Sequence, residues 1–315
     1  MSHYERALEL AERGRGKTGD HHPVVGAVVV RDGEVVGEGW YEYDGVRHAE
    51  TIALEQAGDA ARGATLYVTL EPCSHQSRTP PCADAVIAAG VAHVVVGAHD
   101  PNPVVDGRGL ERLRAAGLEV ELLDDLAARR QNEAWRVWKS LGRPFVTYKA
   151  AVTLDGRVTV SGRRWVSGED SRRRVHELRA ASDAVAVGMG TVRADAPRLD
   201  ARDVGATKQP RRLAFGRGPL PDGSELELRT RPLEEELQAL GAEGVQSLLL
   251  EGGPTLATAF LEAGLVDKLL LFVAPILAGS GSHAIGDLSA PLELLHLGTE
   301  PSGEDLLLEA YLREP

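Results

Sequence analysis

The chain contains only two cysteines among its 315 residues. Two cysteines are too few for the disulfide framework of small secreted proteins, so a reducing cytoplasm is the expected location. The sequence also lacks any apolar run of the roughly 18 residues that a membrane-spanning helix requires. Its first residues, MSHYERALELAERGRG, carry charges throughout and lack the apolar core of a signal peptide. Secretion and membrane anchoring are therefore not expected.

Basic residues are in short supply relative to acidic ones. Lysine and arginine together number 35, aspartate and glutamate number 47, and the net charge is -12. This balance argues against a surface that coats nucleic acid, although a local group of arginines can still hold a small phosphorylated substrate. The hydrophobic fraction of 43% is that of an ordinary globular protein, and the length predicts about two domains.

The pattern of apolar residues predicts two successive α/β domains. In the first half, predicted helices cover residues 4–15, 48–57, 82–89, 109–116 and 124–140, and predicted strands cover 24–30, 34–39, 65–70, 92–98 and 118–123. In the second half, predicted helices cover 169–181, 232–240 and 254–263, and predicted strands cover 145–152, 184–187, 212–215, 246–250 and 268–273. The rest of residues 200–231 is predicted to be loop. Such alternation is typical of mixed sheets with helices on their faces, and Gly142-Arg143-Pro144 suits a linker between domains 1–143 and 144–315.

Both cysteines belong to one pattern with a histidine and a glutamate. His48-Ala49-Glu50 is followed by Pro72-Cys73 and then by Cys82. Imidazole and thiolate are typical zinc ligands, and three protein ligands leave a fourth position for water, as in catalytic sites. The order of these residues resembles that of zinc deaminases, in which a carboxylate that does not bind the metal moves protons between that water and the leaving amine, and Glu50 fits this role. The pattern therefore predicts one catalytic zinc ion per chain, bound by His48, Cys73 and Cys82.

The alternative is that the cysteines are small buried hydrophobic residues, because His-x-Glu alone is a common sequence. Their positions favour the metal site. Cys73 lies just beyond a predicted strand, and His48 and Cys82 each begin a predicted helix, where backbone dipoles favour thiolate. We interpret His75 as a residue of a substrate loop rather than a ligand, and His93 and His99 as structural histidines.

Three motifs carry a family resemblance in the first half. HAE at 48–50, TLEPCSHQSRTPPC at 69–82 and DPNPVVDGRG at 100–109 resemble the pyrimidine deaminase half of the bifunctional riboflavin biosynthesis deaminase/reductase family. Eight residues separate the cysteines, whereas deaminases of DNA or tRNA usually have two. The resemblance implies a cytidine-deaminase-like α/β/α domain, zinc bound by His48, Cys73 and Cys82, and Glu50 as the proton shuttle. It also implies a diaminopyrimidinone substrate that carries a ribosylamino phosphate.

The second half resembles the reductase half of the same family. The motifs are LDGRV at 154–158, RWVS at 164–167, GMGTVRADAPRL at 188–199 and LLLEGGPTLATAFLEAGLVD at 249–267. The resemblance implies a dihydrofolate-reductase-like α/β domain that uses NADPH. The implied NADPH contacts are Ala151, Trp165, Thr191, Asp195, Gly253, Pro254 and Thr255. The implied substrate contacts are Arg163, Arg179, Leu199, Arg202 and Glu251.

Three positions depart from the family pattern. His22 stands where the family has asparagine, Ala196 replaces the second aspartate of Asp-Asp-Pro, and Arg217 replaces a serine that faces the cofactor. Two alternatives therefore remain beside the bifunctional enzyme. The first is a deaminase for a different pyrimidine, and the second is an active deaminase with a non-catalytic C-terminal module. The resemblance further implies a homo-oligomer, dimer or tetramer, formed through the reductase domain.

Overall fold

The computed structural model describes residues 1–15, 22–42, 47–76 and 79–315. The chain divides into two compact units, one of Met1–Leu141 with Pro315 and the other of Gly142–Glu314. His21, before the first hairpin, and Ser77-Arg78, within the second motif, lie outside the described residues. Within these ranges every helix is too short or too polar to span a lipid bilayer.

The first unit is built on a five-stranded sheet with the order β2-β1-β3-β4-β5. Its strands are β1 (Gly26–Arg31), β2 (Glu34–Trp40), β3 (Thr65–Leu70), β4 (His93–Ala98) and β5 (Glu119–Leu122). Its helices are α1 (His3–Gly14), α2 (Ala49–Ala57), α3 (Cys82–Ala89), α4 (Arg108–Ala115), α5 (Leu126–Gln131) and α6 (Glu133–Leu141), with a short 3-10 helix at Gly58–Ala61. β1 pairs antiparallel with β2 and β3, while β3, β4 and β5 run parallel. A tight hairpin turn joins β1 to β2, and Asp32 and Gly33 both have the positive φ that a turn between twisted strands requires.

Strand alternation distributes the core of the first unit over two faces of the sheet. Val28 and Val30 pack with α1, whereas Ala27 and Val29 belong to the larger core that includes α2. Glycine at 39 is required because a Cβ there would overlap the carbonyl oxygen of Ala49. α2 can therefore lie directly on β2, and this contact sets the position of the HAE motif at its N-terminus.

The second unit is built on an eight-stranded sheet with the order β12-β13-β11-β6-β10-β7-β8-β9. Its strands are β6 (Phe145–Thr153), β7 (Ala184–Gly188), β8 (Arg211–Phe215), β9 (Glu227–Arg229), β10 (Ser247–Leu250), β11 (Lys268–Ala274), β12 (Leu295–Ser302) and β13 (Asp305–Tyr311). Its helices are α7 (Glu169–Ala181), α8 (Met189–Asp195), α9 (Leu233–Ala242) and α10 (Pro254–Glu262). The six strands from β11 to β9 are parallel, and β13 and β12 are antiparallel additions at one edge. The carboxyl ends of the parallel strands therefore meet at one side of the sheet.

Two predictions of secondary structure were wrong. The single helix predicted at 124–140 is interrupted at Asn132, whose side chain accepts from the Val24 amide at 2.8 Å and donates to the Val24 carbonyl at 2.9 Å. The predicted loop at 200–231 contains β9, which pairs in parallel with β8. The charged residues Glu227 and Arg229 hide this strand from an apolar pattern.

Arg143, within the predicted linker, is a buried residue of the second unit. Its guanidinium donates to both oxygens of the fully buried Asp267 carboxylate, at 2.7 and 2.8 Å. Asp267 also accepts the Val146 amide at 2.8 Å. The ion pair thus fixes the first residues of β6 to the chain just ahead of β11.

Candidate active sites

In the first unit, the metal-binding motif converges on one point. The ligand atoms of His48, Cys73 and Cys82 all lie within 4.8 Å of one another. His48 Nδ1 is 3.1 Å from the Cys82 sulfur and 3.7 Å from the Cys73 sulfur. Ligands at normal zinc bond lengths in a tetrahedral site are separated by about 3.6 Å. The donor set and its spacing therefore fit a zinc ion.

Hydrogen bonds orient the His48 ring toward this point. His48 precedes α2 as its N-cap residue, and its Nε2 lies 3.4 Å from the Thr79 hydroxyl. A donor role for Nε2 leaves Nδ1 as the ligand nitrogen, which is how partners behind a histidine usually select its metal-binding atom. Tyr41 packs edge-on against the same ring, with centroids 5.6 Å apart, and His22 stacks on Tyr41 at 5.2 Å. His22 therefore belongs to the surroundings of the motif through Tyr41.

The two thiols share one hydrogen-bonded environment. Their mutual hydrogen bond lowers the pKa of Cys73 to about 4, and the contact with His48 acts in the same direction. The Cys82 amide also donates to the Cys73 sulfur at 3.3 Å. The same thiol–thiol bond, together with burial, raises the pKa of Cys82. Cys73 is thus a thiolate near neutral pH, as a metal ligand must be.

Glu50 lies on the first turn of α2 and is almost fully enclosed. Its side chain is buried, and this burial raises its pKa, whereas His48 lowers it. Glu50 also interacts with the Cys82 thiol. A carboxyl group that can hold or release a proton therefore lies beside the ligand cluster.

The sequence interpretation missed the role of Glu71. This buried carboxylate accepts the backbone amides of Asp100 and Gly107 at 3.3 and 3.2 Å. It also accepts those of Gly109 and Leu110, at 2.9 and 3.3 Å. Because a Cβ at Gly109 would overlap the Pro72 carbonyl, the DPNPVVDGRG loop lies tightly against the segment that carries Cys73. The only signal in the sequence was a single acidic residue at the end of a predicted strand.

Among the described residues of this unit, the other histidines lie outside the ligand cluster. His75 does not belong to the group of possible metal ligands, and its place in a substrate loop stays a prediction. His99 Nε2 lies 3.5 Å from Glu71 and 3.4 Å from Asp106, and His93 Nε2 lies 4.0 Å from Glu121. These contacts suit structural roles.

In the second unit, a cavity of about 800 Å³ lies at the carboxyl ends of the parallel strands. Open parallel sheets bind ligands at this edge, and the volume suits a cofactor with a substrate. Most of the predicted contacts line it: Ala151, Trp165, Arg179, Thr191, Asp195, Arg202, Glu251, Gly253 and Pro254. Thr255 does not line it but follows Pro254 on the first turn of α10.

Two of the predicted substrate contacts also lie off the cavity wall. Arg163 is exposed, and its neighbour Arg164 is the residue that lines the cavity. Leu199 is buried in a small core cluster, and its backbone has a positive φ of 54°. Their assignment to the substrate stays a prediction.

A buried group of three charges forms part of the cavity wall. Arg179 donates to both oxygens of Glu251, at 2.6 and 3.0 Å, and Lys149 Nζ lies 3.6 Å from the same carboxylate. Burial acts to raise the pKa of Glu251, but Lys149 and Arg179 together lower it. Burial lowers the pKa of Lys149. Glu251 is therefore an ionised carboxylate in a fixed orientation.

The Gly-rich turn before α10 leaves room for a phosphate. A Cβ at Gly252 would press on the Leu256 side chain at 3.0 Å, and one at Gly253 would lie 3.5 Å from the Thr191 hydroxyl. Backbone amides at the N-terminus of this nine-residue helix can approach an anion. The turn and Thr191 therefore fit the phosphates of a dinucleotide.

Two departures from the family pattern flank this region. Ala196 ends α8 in the left-handed conformation, with φ 42°. Arg217 lies between Gly216 and Gly218, which both have positive φ, and its carbonyl accepts from Arg193 at 2.9 Å. Neither residue lines the large cavity.

Comparisons with known proteins assign a family model to each half of the chain. Residues 1–98 match the family model of the cytidine and deoxycytidylate deaminase zinc-binding region, and residues 144–308 match that of the RibD C-terminal domain. The chain is 39% identical to the riboflavin biosynthesis protein RibD of Aquifex aeolicus, over 96% of this chain and 95% of that protein. It is also 39% identical to RibD of Escherichia coli, over 89% of each protein.

Solved structures show the same likeness over nearly the whole chain. RibD of Acinetobacter baumannii has a TM-score of 0.82 and 36% identity, covering 98% of this chain and 97% of that one. A Thermotoga maritima structure described as a diaminohydroxyphosphoribosylaminopyrimidine deaminase/5-amino-6-(5-phosphoribosylamino)uracil reductase has a TM-score of 0.81 and 33% identity, with the same coverage. The predicted fold class is confirmed. The chain belongs to the RibD family, whose members are bifunctional deaminase/reductase enzymes of riboflavin biosynthesis.

Proposed function

We propose that the chain catalyses two successive reactions. The first unit deaminates 2,5-diamino-6-(5-phosphoribosylamino)pyrimidin-4-one by hydrolysis with zinc, and the second reduces the ribosyl side chain of the product to ribityl with NADPH. The convergence of His48, Cys73 and Cys82 beside the buried Glu50 carries this proposal. A structural metal site gives no reason for an enclosed carboxyl group next to three ligands.

In the deaminase unit, His48, Cys73 and Cys82 would hold the zinc ion. When bound, zinc supplies a Lewis acid that makes hydroxide available near neutral pH. Glu50 takes a proton from the attacking water and delivers it to the leaving amine, because it is the carboxyl group beside the cluster. Thr79 keeps the His48 ring in orientation, and Glu71 holds the Cys73 segment in place.

In the reductase unit, Gly253, Pro254 and Thr255 at the start of α10 would hold NADPH, together with Ala151, Trp165, Thr191 and Asp195. NADPH supplies the hydride when bound, so the protein needs no nucleophile. Arg179 fixes the Glu251 carboxylate through two hydrogen bonds, and this carboxylate can accept hydrogen bonds from ribosyl hydroxyls. Arg202 also lines the cavity and is a further proposed contact of the substrate.

We also propose self-association through the reductase unit. Strand β12 forms one edge of the eight-stranded sheet. Leu297 on this strand is 64% exposed, exposed Leu292, Leu294 and Leu295 precede it in the chain, and exposed Leu306 lies on the neighbouring β13. Apolar side chains on an unpaired edge favour association. Light scattering of the wild type and of Leu297→Glu tests this, and equal masses at the monomer value would contradict it.

The proposed location is the cytoplasm. Both cysteines serve as zinc ligands in this proposal, which leaves none for a disulfide. The partners are small molecules, since the net charge of -12 disfavours nucleic acid.

The decisive experiment is mass spectrometry of the products that the zinc-loaded protein forms from the diaminopyrimidinone phosphoriboside, with and without NADPH. We expect a deaminated product without the cofactor and a reduced product with it. Deamination that stops there would favour a non-catalytic C-terminal module, which Ala196 and Arg217 motivate. The absence of any turnover would favour a deaminase whose substrate is a different pyrimidine, an alternative that the stacking of His22 on Tyr41 motivates.

A further inference from the structure

The wall of the reductase cavity carries arginines that pair with a carboxylate and arginines that do not. Five arginines line it: Arg164, Arg172, Arg173, Arg179 and Arg202. Arg179 pairs with Glu251, Arg202 pairs with Asp200, and Arg173 pairs with both Asp170 and Glu177. Across the described ranges, neither Arg164 nor Arg172 has a carboxylate within ion-pair distance. Glu169 and Asp195 also line the cavity, but neither pairs with these two arginines, which are therefore the unpaired guanidinium groups of the wall.

Both guanidinium groups lie against one aromatic ring. The guanidinium carbon of Arg164 is 5.0 Å from the centroid of the Trp165 ring, and that of Arg172 is 5.7 Å away. Trp165 is itself 52% exposed and lines the same cavity. Arg172 Nη1 also donates to the Ser167 carbonyl at 2.8 Å, which leaves its other donors available. Stacking and this hydrogen bond hold the two cations in place without neutralising them.

Two cations on one ring repel each other, and a bound anion relieves that repulsion. The planar fork of arginine suits a phosphate, because it donates two parallel hydrogen bonds. We propose that Arg164, Trp165 and Arg172 form a subsite for a phosphate monoester, a role that rests on the proposed reductase function. Two ligands of this reaction carry such a group, namely the 5-phosphoribosyl substrate and the 2′-phosphate of NADPH.

Arg173 supplies a matched control. It follows Arg172 on α7, lines the same cavity and carries the same charge, but Asp170 and Glu177 already neutralise it. We compare Arg164→Leu, Arg172→Leu and Arg173→Leu in the full zinc-loaded chain. Dissociation constants for NADPH and NADH are measured by fluorescence titration, and KM is measured for the deaminated phosphoriboside and for its dephosphorylated riboside.

The loss of a charge-assisted hydrogen bond predicts a weakening of about 10-fold to 100-fold for one phosphorylated ligand. A substrate phosphate in the subsite would raise KM for the phosphoriboside alone and leave the affinity for NADPH unchanged. The cofactor 2′-phosphate would weaken NADPH binding and leave NADH binding unchanged. Arg172→Lys should recover part of the loss, since it keeps the charge but not the fork. Arg173→Leu should stay within about twofold of the wild type, since its charge is already neutralised.

The outcomes separate this subsite from the function on which it rests. Equal effects of Arg172→Leu and Arg173→Leu, or no effect of Arg164→Leu and Arg172→Leu on either phosphorylated ligand, would overturn the subsite alone. A wild-type chain that binds neither NADPH nor the phosphoriboside would overturn both proposals. Circular dichroism of each variant confirms that a measured loss does not come from unfolding.

Discussion

The two sites of this chain are built in opposite ways. In the first unit, the ligand cluster and its carboxyl group come from residues 48 to 82, and their side chains carry the proposed chemistry. In the second unit, the cavity wall draws on residues from Tyr148 to Ala284, and the proposed hydride comes from a cofactor. Activity of the first site depends on which residues occupy four positions. Activity of the second site depends on the shape of the cavity and on the distribution of charge along its wall.

This difference predicts how each site responds to substitution. A site whose side chains carry the chemistry loses its activity when one of them changes. A site that positions ligands loses only part of its affinity with each substitution, because many contacts each contribute to the binding free energy. Substitutions in the two units therefore test the comparison directly.

The largest expected effect is that of Cys82→Ala. The variant should lose its zinc and its deaminase activity, because two protein ligands do not retain a catalytic ion, while reduction of the deaminated compound continues. Zinc content by inductively coupled plasma mass spectrometry checks this, with His75→Ala as a control that keeps the metal. Zinc retained by Cys82→Ala and lost from His75→Ala would show that the ligand set is wrong.

Glu50→Gln should separate metal binding from proton transfer. The amide has nearly the same shape but cannot shuttle a proton, so deamination should fall by about 10²-fold to 10⁴-fold with zinc retained. Glu55→Gln on the same helix is the matched control, since the Glu55 side chain is 60% exposed and far less confined. Steady-state kinetics checks both variants, and an active Glu50→Gln protein would remove Glu50 from its role.

The same contrast decides how much of each site could be predicted from the sequence. His48, Cys73 and Cys82 were identified because both cysteines of the chain fall into one pattern with a histidine and a glutamate, which is typical of a catalytic zinc site. The structure brings their ligand atoms together, and their role toward zinc stays a prediction. Glu71 was missed, because the sequence does not distinguish a buried glutamate that accepts four backbone amides from one that is exposed to water.

The reductase site was less predictable, since its residues are ordinary ones whose meaning depends on the fold. No pattern in the sequence distinguishes Arg163 from Arg164, yet of the two only Arg164 lines the cavity. Secondary structure was likewise predictable only where the sequence pattern was regular. The helix predicted at 169–181 was confirmed, with α7 at Glu169–Ala181, whereas β9 was missed because Glu227 and Arg229 form an ion pair instead of an apolar pattern.

A smaller effect is expected from Arg143→Leu, which tests the scaffold of the second unit. Removal of Arg143 leaves the buried Asp267 carboxylate with Arg313, at 2.7 Å, as its remaining counter-charge and removes two charged hydrogen bonds, which should destabilise the unit by about 2–3 kcal/mol. Arg174→Leu breaks an exposed pair with Glu300 and should cost about 1 kcal/mol or less. Hydrogen exchange of β6 and β11 amides measures both. Equal protection in the two variants would contradict the structural role of Arg143.

The smallest effect concerns the dependence of stability on pH through Glu251. Lys149 and Arg179 hold the pKa of this carboxyl below its ordinary value of 4.5 despite its burial. Because the folded state binds the proton less readily than the unfolded state, the stabilisation is complete above that value and is lost as the pH falls through the lower pKa. The stability difference between wild type and Glu251→Gln, measured by hydrogen exchange of β10 amides, should therefore be greatest near neutral pH and shrink below pH 4.5. A stability difference that does not change with pH would mean that packing, and not charge, holds Glu251 in the cavity wall. The distribution of charge would then no longer distinguish the second site from the first.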